Sequence, residues 1–122
     1  VNSITITISL PPKACRPNGA HGHWAAKASS KKQYRSEAWA ATAAEIKGQP
    51  PRWHKARVEI KAYFKTARHL DPDNLVASLK SAFDGIADAG VIANDKGLWP
   101  ERPVIDKDAK NPRIELTITE EP

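Results

Sequence analysis

Three stretches of this chain alternate between apolar and polar residues, and that period of two commits them to half-buried strands. From Ser3 to Leu10, Ile4, Ile6, Ile8 and Leu10 share one side while Ser3, Thr5, Thr7 and Ser9 share the other. The isoleucines and threonines, branched at Cβ, reinforce the extended reading. Arg57 to Lys65 repeats the pattern with Val58, Ile60, Ala62 and Phe64 inward, and Arg113 to Thr119 repeats it once more. Between the strands the period changes. Pro11-Pro12 closes the first strand, and Ser29 or Ser30 caps an Ala-rich helix running to about Lys47, where Gly48 and Pro50-Pro51 stop it. Pro72 opens a second helix that ends near Ala89-Gly90, with Leu75, Leu79, Ala82, Phe83 and Ile86 as its buried stripe. Val91 to Ala93 and Pro103 to Asp106 read as short extended pieces. This order predicts a single α+β domain over residues 1–122, a mixed β-sheet with two main helices packed on it.

A chain of 122 residues that is 40% hydrophobic can bury one core and leaves no room for a second. A membrane span needs about 20 apolar residues, and the longest apolar-leaning stretch, Ala38 to Ala44, is far shorter. The first strand begins almost at Val1, with no basic or apolar leader ahead of it, and Cys15 is the single cysteine. A reducing, cytoplasmic setting is the expectation. The net charge of +5 is unevenly spread. Val1 to Arg68 carries thirteen Lys plus Arg against three acids, and His69 to Pro122 carries six against eleven. Such segregation points to a basic surface for a polyanion and an acidic cluster for a cation.

The basic half has two parts. Lys27, Lys31, Lys32 and Arg35 fall on the first helix, and Arg16 and Arg68 lie in the loops that flank it; all six are candidate phosphate contacts. Trp24, in the basic loop before the helix, is a candidate for stacking on an unpaired base. Cys15, His21 and His23 match no familiar zinc-ligand spacing. Trp39 reads as a core or interface residue, and Trp53 and Trp99, each near proline, read as packing residues.

Asp71 and Asp73 flank Pro72 at the mouth of the second helix. Capping alone accounts for such a pattern: an Asp N-cap, a Pro at the first position and an acid near the positive end of the dipole. Two further features point beyond capping. At 100° per residue in an unbroken helix, Asp73, Lys80 and Asp84 fall within about 40° of one another, opposite the apolar stripe. That helix rises about 26 Å from Pro72 to Ala89, and Gly90 to Asp95 can retrace at most about 20 Å. Asp95 can therefore approach the acidic helix start closely enough for Asp71, Asp73 and Asp95 to share one ion. An all-carboxylate set suits Mg²⁺, which keeps several waters and binds phosphate oxygens. An EF-hand beginning at Asp71 fails at Leu75 and Val76.

The run DPDNL followed by LKSAFDGIADAGVIANDKGL resembles the RusA family of Holliday-junction resolvases, whose core pattern is Asp-x-Asp-Asn, a helix with Lys and Phe-Asp, Ala-Gly-Val and a closing Asp. Upstream, Leu10-Pro11-Pro12, Asn18, Trp24 and Lys31-Lys32-x-Tyr34-Arg35 are similar to the family's amino-terminal half. Three positions depart from the pattern: one extra helical turn lies between Asn74 and Lys80, Asn94 stands where an acid is common, and Leu70 replaces a basic residue. The resemblance implies a RusA-like fold and a small homodimeric endonuclease, bacterial or phage-encoded, that resolves four-way DNA junctions in recombination and repair. It further implies dependence on Mg²⁺, with Mn²⁺ as a substitute, held by Asp71, Asp73 and Asp95, and a catalytic role for Lys80. A reading from another class is a catalytically inactive DNA-binding protein that uses the same basic surface.

Overall fold

The three alternating stretches meet as neighbours. In the computed structural model, which describes residues 2–16, 24–66 and 71–122, they form β1 (Ser3–Ile8), β2 (Ala56–Phe64) and β5 (Arg113–Glu120). β5 lies between the other two and pairs antiparallel with both. β1 and β2 therefore point the same way. Two short strands, β3 (Leu98–Pro100) and β4 (Val104–Lys107), lie end to end along the far edge of β2 and run parallel to it. The result is a mixed five-stranded sheet in the order β1-β5-β2-β3, with β4 also on β2.

The apolar members of each alternation all lie on one face. Ile6 and Ile8, Val58, Ile60 and Ala62, and Ile114, Leu116 and Ile118 are buried. Over them pack α1 (Trp24–Glu45) and α3 (Lys80–Asp88), which with α2 (Pro72–Ser78) are the three α-helices among the described residues. The opposite face carries Ser3, Thr5, Thr7, Glu59 and Lys61, all exposed. Layers of this kind, helices on one face of a mixed sheet, make an α+β domain with a single core.

α1 begins at Trp24, earlier than Ser29 or Ser30. Ala25, Ala26 and Ala28 are strong helix formers, and they extend the helix through the two serines. The segment read as one helix from Pro72 is interrupted at Leu79 (φ −91°, ψ 1°), whose N–H bonds to the Val76 carbonyl in a tightened turn. The cause is local. The buried Ser78 hydroxyl donates to the Asn74 carbonyl at 2.7 Å, a back-bond to the fourth preceding residue that bends helices. The predicted stripe nevertheless holds: Leu75, Leu79, Ala82 and Ile86 are buried and Phe83 is half-buried. Val91 to Ala93 forms a single bridge, Ile92 to Trp53, and no strand. Trp53 is buried as expected, whereas Trp39 and Trp99 are exposed. The Lys55 ammonium lies 5.3 Å from the Trp99 ring.

α1 and α3 touch along Gly85, where an added Cβ would fall on the Arg35 carbonyl. Beside that contact the Arg35 guanidinium grips Asp88 through two hydrogen bonds, of 2.6 and 2.8 Å. The bond from Arg35 holds the Asp88 carboxyl below the usual carboxylate range. A depressed carboxyl contributes stability that is complete above its unfolded pKa, about 3.9, and is lost as pH falls through the lower folded value. We expect Asp88→Asn to lower the unfolding free energy by at most about 1 kcal/mol at neutral pH, since both groups are partly solvated. Denaturant titration of both proteins should show that difference shrinking below pH 4.

Candidate functional site

Because β1 and β2 are parallel, the segments leaving their C-terminal ends emerge at one end of the domain. The segment after β1 leads through a 3₁₀ turn at Lys13–Cys15 to the start of α1, and the segment after β2 leads to Asp71 and α2. The Cys15 thiol is buried near the Ser81 side chain of α3, within the field of Lys31 of α1, and burial pushes it up more than those two neighbours lower it. Lys31 and Lys32 are exposed, Lys27 is half-buried and Arg16 is exposed, and none of them forms an ion pair among the described residues. Lys80, the first residue of α3, is 80% exposed, with Asp84 at 3.7 Å. One end of the molecule thus collects four cations from α1 and its approach, and a fifth from α3.

Arg35 departs from that expectation. Its guanidinium is engaged on Asp88 and serves first to hold α1 to α3. Arg68, His21, His23 and the side chain of Trp24 lie outside the described residues.

Asp71 caps α2: its Oδ1 accepts the Asp73 N–H at 2.9 Å, as the Asp-Pro-Asp pattern predicts. Asp73, in the first helical turn, is exposed and opens on a shallow groove of about 340 Å³ shared with Val76, Pro100, Glu101, Arg102 and Pro103. Neither aspartate pairs with a cation among the described residues, and Asp95 pairs with none. Most other carboxylates are engaged: Glu59, Glu101 and Glu121 on Arg57, and Asp108 and Glu115 on Arg113.

Among the described residues Asp71, Asp73 and Asp95 do not form one cluster. Asp95 opens a 3₁₀ turn, Asp95–Gly97, that leads directly into β3, whose Leu98 is in register with Ala56 at the beginning of β2. Asp73 faces the residues just past the other end of β3. Among the described residues no three His, Cys, Asp or Glu side chains stand close enough to hold an ion. The reason lies in the path of the chain after α3. Arg52 N–H bonds to the Gly90 carbonyl at 2.9 Å, Trp53 N–H to Val91 at 2.8 Å, and Ala93 N–H to Trp53 at 2.8 Å. These bonds stitch the return segment to residues 52–53, and Gly97 then packs closely on the His54 carbonyl. The reach that chain length allows is used for backbone pairing instead of convergence. The break at Leu79 likewise separates Asp73 from the Lys80–Asp84 face, so 100° spacing does not run across it.

Two groove residues, Glu101 and Arg102, carried no recognisable signal in the sequence. Pro100 and Pro103 mark a turn there, but only the parallel pairing of β3 and β4 with β2 lays that turn beside α2. Neither a family model nor a curated protein matches this chain. Among the described residues no helix is long and apolar enough to cross a membrane.

Proposed function

We propose that the chain is a metal-dependent endodeoxyribonuclease that resolves four-way DNA junctions by paired nicks, working as a homodimer in recombination and repair. The observation that carries this reading is the pooling of unpaired charge. Asp71 and Asp73 have no cationic partner among the described residues, and they follow β2 at the same end of the domain as Lys27, Lys31 and Lys32. Most of the other described carboxylates are held by an arginine or a lysine, whereas these two stand exposed at a helix start on the side of the molecule where the α1 lysines gather. The donor set fits a hard cation: two exposed carboxylates match the one or two through which Mg²⁺ is usually held. In such a site the ion, Mg²⁺ or Mn²⁺ in its place, supplies Lewis-acid polarisation of a phosphate oxygen and an activated water.

The chain's own residues do the rest. Lys27, Lys31, Lys32 and Arg16 hold the DNA backbone by charge and set its position without reading sequence. Lys80, at the exposed start of α3, exchanges Asp84 for a phosphoryl oxygen and stabilises the charge that builds there. A four-way junction has approximate two-fold symmetry and needs two cuts. One copy carries one such site, so a closed dimer meets the need. The pairing of the Gly90–Ala93 segment with residues 52–53 favours a second reading, a DNA-binding protein that does not cut. Incubating labelled four-way junction and linear duplex with the protein, in Mg²⁺ or in EDTA, decides between them. Paired symmetric nicks only in junction with Mg²⁺ support the nuclease; binding without nicks under every condition supports the second reading.

Salt dependence tests the basic surface. Log affinity for duplex arms should fall linearly with log salt, and the Lys31→Ala, Lys32→Ala double variant should flatten the slope by about 0.9 for each phosphate that is no longer neutralised. Cut positions should stay where they are. An unchanged slope in fluorescence-anisotropy titrations would remove these lysines from the interface.

A further inference from the structure

The two edges of the sheet are built differently. The β3–β4 edge is short and interrupted: three residues ending in Pro100, a break at Pro103, then four residues that include Asp106 and Lys107. Proline and charge at an edge are the usual means of preventing strands of other chains from adding to it. β1, the other edge, has none of these. From Asn2 to Leu10 there is no charge, no proline and no glycine, only Asn, Ser, Thr, Ile and Leu.

The hydrogen bonds show which groups of β1 are free. Glu120 N–H donates to the Asn2 carbonyl at 2.9 Å. In an antiparallel pair, opposed residues alternate between those that exchange bonds and those whose backbone points away. With Ser3 opposite Thr119 and Ile4 opposite Ile118, the even residues bond to β5 and Ser3, Thr5 and Thr7 direct N–H and C=O outward. Ser9 continues the series, and its outward N–H is already taken by the Glu37 carboxylate at 2.6 Å. Glu37 thus terminates the open edge at one end and leaves the outward backbone groups of Ser3, Thr5 and Thr7 without a partner among the described residues. The apolar layer beneath is also incompletely closed, for Ile4, Leu10 and Ala41 are only partly buried where β1 meets α1.

We infer that β1 pairs antiparallel with β1 of a second copy of this chain, joining two sheets into one across a two-fold axis. A strand edge of uniform polarity is complementary to itself when reversed, which is what an isologous interface requires. With no charge from Asn2 to Leu10, bringing two copies together meets no like-charge repulsion along the strand. The flank of α1 beyond Glu37, with Ala41 and the exposed Ala44, adds area, since a standard interface takes about 800 Å² from each partner. The axis runs through the sheet, so both helix layers stay on one face and the two basic ends point in opposite directions. The interface itself does not depend on the nuclease reading; only the use of two sites on one substrate does.

Sedimentation analysis at micromolar concentration should give a mass near twice the 13.4 kDa chain. Thr5→Pro removes one outward N–H and no backbone bond to β5, losing there only the exposed hydroxyl contact with Thr117 at 3.2 Å, and Ala44→Lys sets a charge on the exposed flank. Each should halve the mass while the circular dichroism spectrum stays that of the wild type. If Thr5→Pro fails to fold, Ala44→Lys alone carries the test. A monomeric wild type, or variants that remain dimeric, would overturn the interface. A monomer that cuts junctions refutes this pairing and spares the nuclease; a β1 dimer that cuts nothing does the reverse.

Discussion

Asp73→Asn should bind four-way junction DNA in EDTA at least as tightly as the wild type and should cut it at a rate lower by roughly three orders of magnitude in Mg²⁺. The substitution preserves size and helix position, and it removes one of the two carboxylate charges at the mouth of α2. Asp71 keeps its cap on the Asp73 N–H, because that bond uses the backbone of residue 73. Stability should therefore change little. A metal's contribution to phosphoryl transfer is several kcal/mol, and each 1.36 kcal/mol is tenfold in rate. Binding is set by Lys27, Lys31, Lys32 and Arg16, which the variant leaves intact, and losing an anion near the DNA removes a repulsion. Single-turnover cleavage alongside gel-shift titration checks both halves, and full Mg²⁺-dependent activity would remove Asp73 from the site. Asp95→Asn is the companion measurement. An equal loss means that the three acids act together in the assembled enzyme despite their separation in one chain. Retained activity means that Asp71 and Asp73 suffice.

Gly85→Ala should destabilise the fold by about 1–3 kcal/mol, the usual range for overpacking a well-packed contact. The new Cβ falls on the Arg35 carbonyl, with Trp39 N at 3.0 Å and the Ala38 Cβ at 3.1 Å. Two of these three neighbours are backbone atoms of α1, so no flexible side chain can move aside. α1 must lift from α3, which also lengthens the Arg35–Asp88 pair. Both helices carry parts of the basic end, Lys31 on one and Lys80 on the other, so weaker DNA binding should accompany the lower stability. Urea unfolding of the two proteins measures the first effect. A change within about 0.5 kcal/mol, the range of ordinary surface substitutions, would show that the helices do not meet at this glycine.

Much of the sheet is legible from periodicity, because a strand with one wet face has only one way to bury Ile6 and Ile8, or Val58 and Ile60. The stripe from Leu75 to Ile86 is legible for the same reason, at the helical period. The cap at Asp71 follows from Asp-Pro-Asp, a local pattern with a local cause. The candidate site is legible as residue types: two aspartates at a helix start and lysines on an Ala-rich helix carry their chemistry wherever the chain places them.

What the tertiary structure decides is which of these residues meet. Chain length permits Asp95 to return to Asp73, yet bonds from Arg52, Trp53 and Ala93 hold the return segment at the far end of β3. Arg35 reads as one more cation on a basic face until α3 supplies Asp88. Gly85 reads as a weak point in a helix until α1 is laid across it. The bare edge of β1 exists only because β5, last in the chain, takes the place between β1 and β2. Local pattern depends on neighbours within one turn or one strand, and the amino-acid order states those directly. Convergence depends on pairings between segments thirty to a hundred residues apart, where many arrangements satisfy the same local rules and only packing of the whole core selects one.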